Sequence, residues 1–230
     1  MKAIKILVLE SNDNSISQII DILRNNDFDV DICKNNNEFL ERIYNNLYDL
    51  YLINVNEKSL PKFQLIQLLN EYKDMTMKMV ITSIPDIIKP SFLSGCDECI
   101  IKTIDEQEIL FRIKALIRRQ FNIYSDSIYL KDNMEYDIFN KRVVENNMEI
   151  NMGEKALLIL DYLLKYRGLY VTTKNLEKGV YPANTNSKNG VIRFHIHKIR
   201  QFLGNDLIIS NKSNGYKIND IQIKQLIHKI

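Results

Sequence analysis

Residues 188–203 read KNGVIRFHIHKIRQFL, and their periodicity decides the architecture of the second half of the chain. Val191, Ile192, Ile196, Ile199 and Leu203 recur at the three- and four-residue spacing that gathers side chains on one face of a helix. Asn189, Arg193, His197 and Arg200 fall on the other side. A helix with one apolar face must bury it against other elements, and the flanking sequence supplies them. Residues 153–166 form a second helical pattern, with Ala156, Leu157, Ile159, Leu160, Leu163 and Leu164 apolar. Thr172 or Thr173 can cap a short helix running to Val180, and 182–187 is a loop. Beyond the long helix, 207–209 and 216–218 flank Asn211-Lys212-Ser213-Asn214-Gly215, a polar turn that closes a hairpin.

Helix, short helix, helix and hairpin is the order of a winged helix-turn-helix, an α+β domain. Short extended pieces at 128–130, 135–138, 142–145 and 148–150 precede it. Asn146-Asn147 between the last two suits a tight hairpin, because Asn tolerates positive φ. Residues 121–127, FNIYSDS, have no periodicity and are expected to be a linker.

The first 120 residues alternate strand and helix. Strands are expected at 4–9, 30–33, 50–55, 77–82 and 98–101. Helices are expected at 15–25, 38–45, 63–72, 86–93 and 106–119, the last capped by Asp105. Five strands alternating with five helices predict a doubly wound five-stranded parallel sheet, because parallel strands need crossover helices. Sites in such α/β sheets lie at the carboxyl ends of the strands. The expected organisation is a domain over 1–120, the linker 121–127, a domain over 128–219 and a tail over 220–230.

Composition narrows the function. Of 230 residues, 45% are apolar and 26% charged, as in a folded globular protein and not a disordered one. No apolar run approaches the ~18 residues of a membrane span, and the N-terminus reads as a strand and not a signal peptide. Three cysteines cannot all pair, so a disulfide scaffold is excluded and a reducing cytoplasm is expected. The net charge of +2 divides into −3 over residues 1–120 and +5 over 121–230. Between 186 and 217 there are six basic residues against one acid, which fits a polyanion partner.

The two halves together resemble an OmpR/PhoB-type response regulator over essentially the whole chain up to Asn219. The stretches that carry the resemblance are 6–10 (ILVLE), 95–102 (GCDECIIK), 152–160 (MGEKALLIL), 192–203 (IRFHIHKIRQFL) and 214–218 (NGYKI). The resemblance implies a flavodoxin-like receiver domain followed by a winged-helix DNA-binding domain. In that family an aspartate ending the third strand takes a phosphoryl group. Two acids after the first strand hold Mg²⁺, a hard cation that wants oxygen ligands. A Ser/Thr and a Lys orient the phosphoryl oxygens.

The match at this pocket is broken. Glu10, Thr82 and Lys102 are retained, but Ser11 stands for the second acid and Asn54 for the nucleophile. Thr103 replaces the Pro after the lysine, and Cys99 replaces the switch aromatic. A carboxamide lacks the anionic oxygen that attacks phosphorus. The resemblance therefore implies an atypical receiver with no catalytic residue, metal or cofactor, independent of aspartyl phosphorylation.

The family's dimer face is matched by Lys89, Asp97, Glu98, Glu108, Arg112 and Arg119, which implies a homodimer through the fourth helix, fifth strand and fifth helix. Its DNA face is matched along the long helix. Arg can bond guanine and Asn adenine, so Asn189, Arg193 and His197 are candidates for base reading. Lys188, Lys198, Arg200 and Lys212 of the hairpin are candidates for phosphate contact. Gly190 replaces a family Arg, and His195 matches a family position near the DNA backbone. The Cys96–Cys99 pair reads as core thiols or a redox-responsive pair; the adjacent acids oppose the lowered pKa that reactive thiols need.

The expected function is sequence-specific regulation of transcription by binding double-stranded DNA as a cytoplasmic homodimer, with RNA polymerase a further possible partner and no membrane involved. Three alternatives stand beside it: an adaptor whose receiver binds a protein, a regulator switched by thiol redox, and a conventional regulator with relocated phosphorylation. An enzyme is not expected, because no nucleophile–base pair, Gly-rich phosphate loop or metal cluster is present in the sequence.

Overall fold

The computed structural model describes residues 4–11, 16–56, 60–102, 105–131, 133–185 and 190–219. The chain divides into two compact units, Lys2–Ile117 and Arg118–Ile230 together with Met1.

The first unit runs β1 (Lys5–Leu9), α1 (Ser17–Asn25), β2 (Asp29–Cys33), α2 (Asn36–Asn45), β3 (Leu50–Asn54), α3 (Leu60–Glu71), β4 (Met77–Thr82), α4 (Ile88–Leu93), β5 (Glu98–Ile101) and α5 (Glu106–Gln120), whose last turn belongs to the second unit. The sheet order is β2-β1-β3-β4-β5 with every pairing parallel. Ile6 to Leu9 and Leu50 to Asn54 are buried along their length. That continuous burial explains why these strands read as unbroken apolar runs and not as alternating ones. The order reverses between β1 and β3, so their carboxyl ends open onto one crevice.

Helix starts differ from the sequence expectation for identifiable reasons. α2 begins before Glu38 because Asn35 caps it, its side chain accepting from the Glu38 amide at 2.9 Å. Glu38 in turn accepts from the Lys34 amide at 3.0 Å. α3 starts at Leu60 and carries Pro61 in its first turn, where a missing N–H costs nothing. A 3₁₀ turn, Pro85–Ile87, precedes a shortened α4 that holds Pro90 in its own first turn. Asp105 caps α5 as expected, accepting from the Gln107 amide at 2.8 Å.

The second unit opens with a four-stranded antiparallel meander, β6 (Ser127–Lys131), β7 (Met134–Asp137), β8 (Arg142–Glu145) and β9 (Met148–Ile150). Asn146 and Asn147 have φ of 49° and 66°, the left-handed pair that a two-residue hairpin demands. Phe121, in the stretch expected as a linker, is buried, its ring 6.3 Å from that of Tyr136. Tyr136 is fully buried; its hydroxyl donates to Asp161 at 2.7 Å, and Asp161 pairs with Lys165 at 2.9 Å.

Three helices and a hairpin follow: α6 (Glu154–Lys165), α7 (Thr173–Val180), α8 (Val191–Leu203), β10 (Ile208–Asn211) and β11 (Gly215–Ile218). Of the two candidate caps for α7, Thr172 serves, accepting from the Asn175 amide at 3.2 Å. α8 buries Ile192, Ile196, Ile199 and Leu203 as its periodicity predicts. It starts at Val191 and not at residue 188, because Gly190 has a left-handed φ of 98°. Val171 pairs with Tyr216, which fastens the α6–α7 connection to the hairpin. Only glycine fits at 215: a Cβ there would lie 2.1 Å from the Val171 carbonyl oxygen.

Candidate functional site

The crevice at the ends of β1 and β3 collects the pocket residues read from the sequence. Glu10, Asn54 and Thr82 are buried and Ser11 is exposed. The Asn54 carboxamide donates to Glu10 Oε1 at 2.8 Å. Thr82 Oγ1 accepts from the Ile84 amide at 3.0 Å, within the loop after β4. Lys102 Nζ donates to Asn56 Oδ1 at 2.8 Å. Sequence reasoning missed two participants. Asn56 receives Lys102, and Lys62, in the first turn of α3, buries its amine and donates to the Asn54 carbonyl at 2.6 Å. Thr103 lies outside the described residues.

This donor set does not fit Mg²⁺. A magnesium ion asks for carboxylate oxygens in octahedral array. Glu10 is the single carboxylate among the five pocket positions, the Asn54 amino group is turned onto it, and an ammonium stands on the Asn54 backbone. Nor can Asn54 attack phosphorus, since its amide nitrogen is conjugated and its oxygen uncharged.

On the α4–β5–α5 side, Arg112 pairs within its own chain. Its guanidinium donates to Glu108 Oε1 at 2.9 and 2.7 Å and lies 3.7 Å from Glu98. Asp97 accepts from the Lys78 amide at 2.7 Å. Lys89 is exposed on α4, and Arg119 is exposed on the last turn of α5. Phe92, Leu93 and Phe111, which the sequence reading passed over, are exposed here at 48%, 75% and 62%, unusual for large apolar side chains unless a partner covers them.

The cysteines are thiols at neutral pH. Burial pushes Cys96 up to about 12, helped by Cys99, Asp97 and Glu98. Burial also raises Cys99, against a hydrogen bond from Ser91. These shifts run opposite to the thiolate character that a redox pair requires.

In the second unit, α8 presents Arg193, Phe194, His197 and Gln201 to solvent. Arg193 is its third residue, in the first turn. Phe194 is 64% exposed, and neither it nor Gln201 was singled out from sequence. The signal was present: Phe194 is an aromatic outside the apolar stripe. Lys198 is half-buried with its amine beside Gly153, where a Cβ would lie 3.2 Å from Nζ. Lys212 is exposed at the hairpin tip. Lys188 and Asn189 lie outside the described residues.

Arg200, expected as a phosphate contact, is engaged within its own domain. Its Nη2 donates at 2.6 Å both to the Ile208 carbonyl and to Ser210 Oγ, so the guanidinium holds β10. On the helix it sits nearer the apolar stripe than Arg193 or His197, which is why it turns to the hairpin. His195 is half-buried, its Nδ1 buried without a hydrogen-bond partner, and its ring meets Phe194 edge-on at 5.3 Å. Burial, then Lys198 and Lys155, hold its imidazole below the ordinary 6.5.

Among the described residues, no helix is long and apolar enough to cross a membrane, and no three metal-ligating side chains converge. Residues 147–218 match the family model "Transcriptional regulatory protein, C terminal". The transcriptional regulatory protein PmrA of Pectobacterium parmentieri is 29% identical over 122 residues, 53% of this chain and 54% of that protein, so this match spans about half of that relative's length. The transcriptional regulatory protein CrdR of Helicobacter pylori is 26% identical over 220 residues, 94% of this chain and 99% of that protein. Both relatives are transcriptional regulatory proteins. The crystal structure of the response regulator DrrB, a Thermotoga maritima OmpR/PhoB homologue, aligns with a TM-score of 0.45 and 18% identity over 94% of this chain and 99% of that one. Residues 147–218 thus match a transcriptional regulatory C-terminal domain, and the chain is similar over nearly its whole length to a transcriptional regulatory protein.

Proposed function

We propose that this protein regulates transcription by sequence-specific binding to double-stranded DNA, in the cytoplasm, as a homodimer that does not depend on aspartyl phosphorylation. The observation that carries the reading is the 2.8 Å hydrogen bond from Asn54 to Glu10, which puts a neutral carboxamide, with no anionic oxygen to attack phosphorus, at the nucleophile position and ties it to the metal position. The DNA face is the exposed row of Arg193, Phe194, His197 and Gln201 on α8, a helix of the width that the major groove admits. Lys212 on the hairpin, and Lys188 and Lys198, supply phosphate contacts. The dimer face is the charged set Lys89, Asp97, Glu98, Glu108, Arg112 and Arg119, with Phe92, Leu93 and Phe111 as its apolar part. A two-fold dimer suits half-sites about one helical turn apart. RNA polymerase is the further partner that such a complex would engage at a promoter.

The test combines footprinting with phosphoryl transfer. The purified protein is expected to protect a two-half-site operator equally with and without acetyl phosphate, and to take up no label. A phosphoprotein, or protection that appears only with the phosphoryl donor, would refute the phosphorylation-independent part. Switching by Cys96 and Cys99 is the weaker reading, because burial keeps both thiols protonated.

A further inference from the structure

We infer that Lys62 is the resident cation of the receiver pocket, an ammonium that occupies the pocket in place of a divalent metal and keeps metal out. The inference rests on the phosphorylation-independent reading and gives it a cause beyond the missing acids. Lys62 is 8% exposed, although lysine is among the residues least often buried without a charged counterpart. Its Nζ reaches the Asn54 backbone carbonyl at 2.6 Å, while the Asn54 side chain holds the buried Glu10 at 2.8 Å. One residue thus stands between a buried cation on its backbone and a buried anion on its side chain.

The exchange is consistent in charge. With Ser11 and Asn54 neutral, Glu10 is the one carboxylate at the pocket positions, and a single positive charge suits it better than a double one. An ammonium held on the Asn54 carbonyl also repels a divalent ion that approaches the Glu10 carboxylate bonded to the Asn54 side chain, and the low local dielectric strengthens that repulsion. Lys102 directs its amine to Asn56 Oδ1 at 2.8 Å, two residues beyond the carbonyl that holds Lys62. The position of Lys62 in the first turn of α3 holds the ammonium on a regular helix and not on a loop.

The inference separates the effect of the lysine from that of the missing acids, and the experiment does the same. Full-length Ser11→Asp/Asn54→Asp protein restores the acids and leaves Lys62 in place. A second protein adds Lys62→Met, and a third adds Lys62→Gln, which can still donate to the Asn54 carbonyl but carries no charge. Mn²⁺ is titrated into each and the free ion is counted by its electron paramagnetic resonance signal, with far-ultraviolet circular dichroism as a check on folding. Both proteins lacking the lysine are expected to bind Mn²⁺ at least about tenfold more tightly than the one that keeps it. Adding Lys62→Arg in place of those changes should keep Mn²⁺ out. Equal Mn²⁺ affinity with and without the lysine overturns the inference. The titration contains no phosphoryl donor, so that failure is distinct from labelling of the wild-type chain, which would refute the proposed function.

Discussion

Arg200 on α8 and Ile208 on β10 are joined by a 2.6 Å hydrogen bond from guanidinium to backbone carbonyl, and the same nitrogen holds Ser210. The helix proposed to face DNA therefore carries the wing strand on its own side chain. Arg200→Ala is expected to destabilise the second unit by about 1–3 kcal/mol, because the Ile208 carbonyl loses a charged donor. It should weaken binding to specific and random duplexes alike. Urea unfolding and DNA titration check this; a variant with unchanged stability that loses only salt-dependent affinity would show Arg200 to be a phosphate contact.

Arg193→Ala should behave differently. Arg193 is exposed in the first turn of α8, the position proposed to read a base edge. Its loss should cost on the order of 1–3 kcal/mol on the specific site and relax discrimination at one base pair. Lys212→Ala should weaken all sequences equally and reduce the slope of log affinity against log salt by about one unit. Titrations at several salt concentrations distinguish the two, and an unchanged specific-to-random ratio for Arg193→Ala would remove it from the base-reading set.

Arg112 tests the dimer. In the single chain it bonds Glu108 at 2.7 Å and approaches Glu98 at 3.7 Å. Such exposed pairs are worth under about 1 kcal/mol to folding, so the residue is replaceable without unfolding the unit. Arg112→Glu places three acids together and should weaken self-association at least about tenfold, a difference of about 1.4 kcal/mol. Sedimentation equilibrium measures it, and a wild-type chain that is monomeric at tens of micromolar, on the order of ordinary transient affinities, ends the proposal.

His195 sets a pH dependence. Its folded-state pKa lies below 6.5, so the unfolded chain takes up a proton first as pH falls. The contribution is fully present above the unfolded value and is lost as pH drops through it toward the folded one. The second unit should therefore be less stable at about pH 5.5 than at about pH 7.5, and His195→Gln should flatten that difference. Chemical denaturation at the two pH values reads it directly; a slope unchanged by the substitution assigns the effect elsewhere.

Much of the fold was legible because its signals are local. The unbroken apolar runs of β1 and β3 reflect burial on both faces, and the Asn146-Asn147 pair announced its positive φ. The α8 stripe of Ile192, Ile196, Ile199 and Leu203 appeared as spaced. What escaped was side-chain contact between elements. A lysine at the head of an apolar helix reads as a solvated first turn, and its amine meets the Asn54 carbonyl, eight residues back, only once α3 is seated at the end of β3. Arg200 reads as a surface charge until the hairpin folds back over the helix. Tyr136 and Asp161 lie 25 residues apart, so no spacing rule relates them. Gly190 was read only as a lost charge; its left-handed backbone, which starts α8 later than expected, is a turn property that helical periodicity does not report.

The hairpin of the second unit is fastened twice, by Arg200 from the helix and by the Val171–Tyr216 pairing that Gly215 makes room for. A wing held in this way meets a duplex already in shape. The ordering entropy that a loose loop would surrender on association is largely settled when the domain folds. Affinity for a half-site is then governed by which groups touch the DNA, and changes in the buried fastenings should be felt as a general loss of grip while the preferred sequence stays the same.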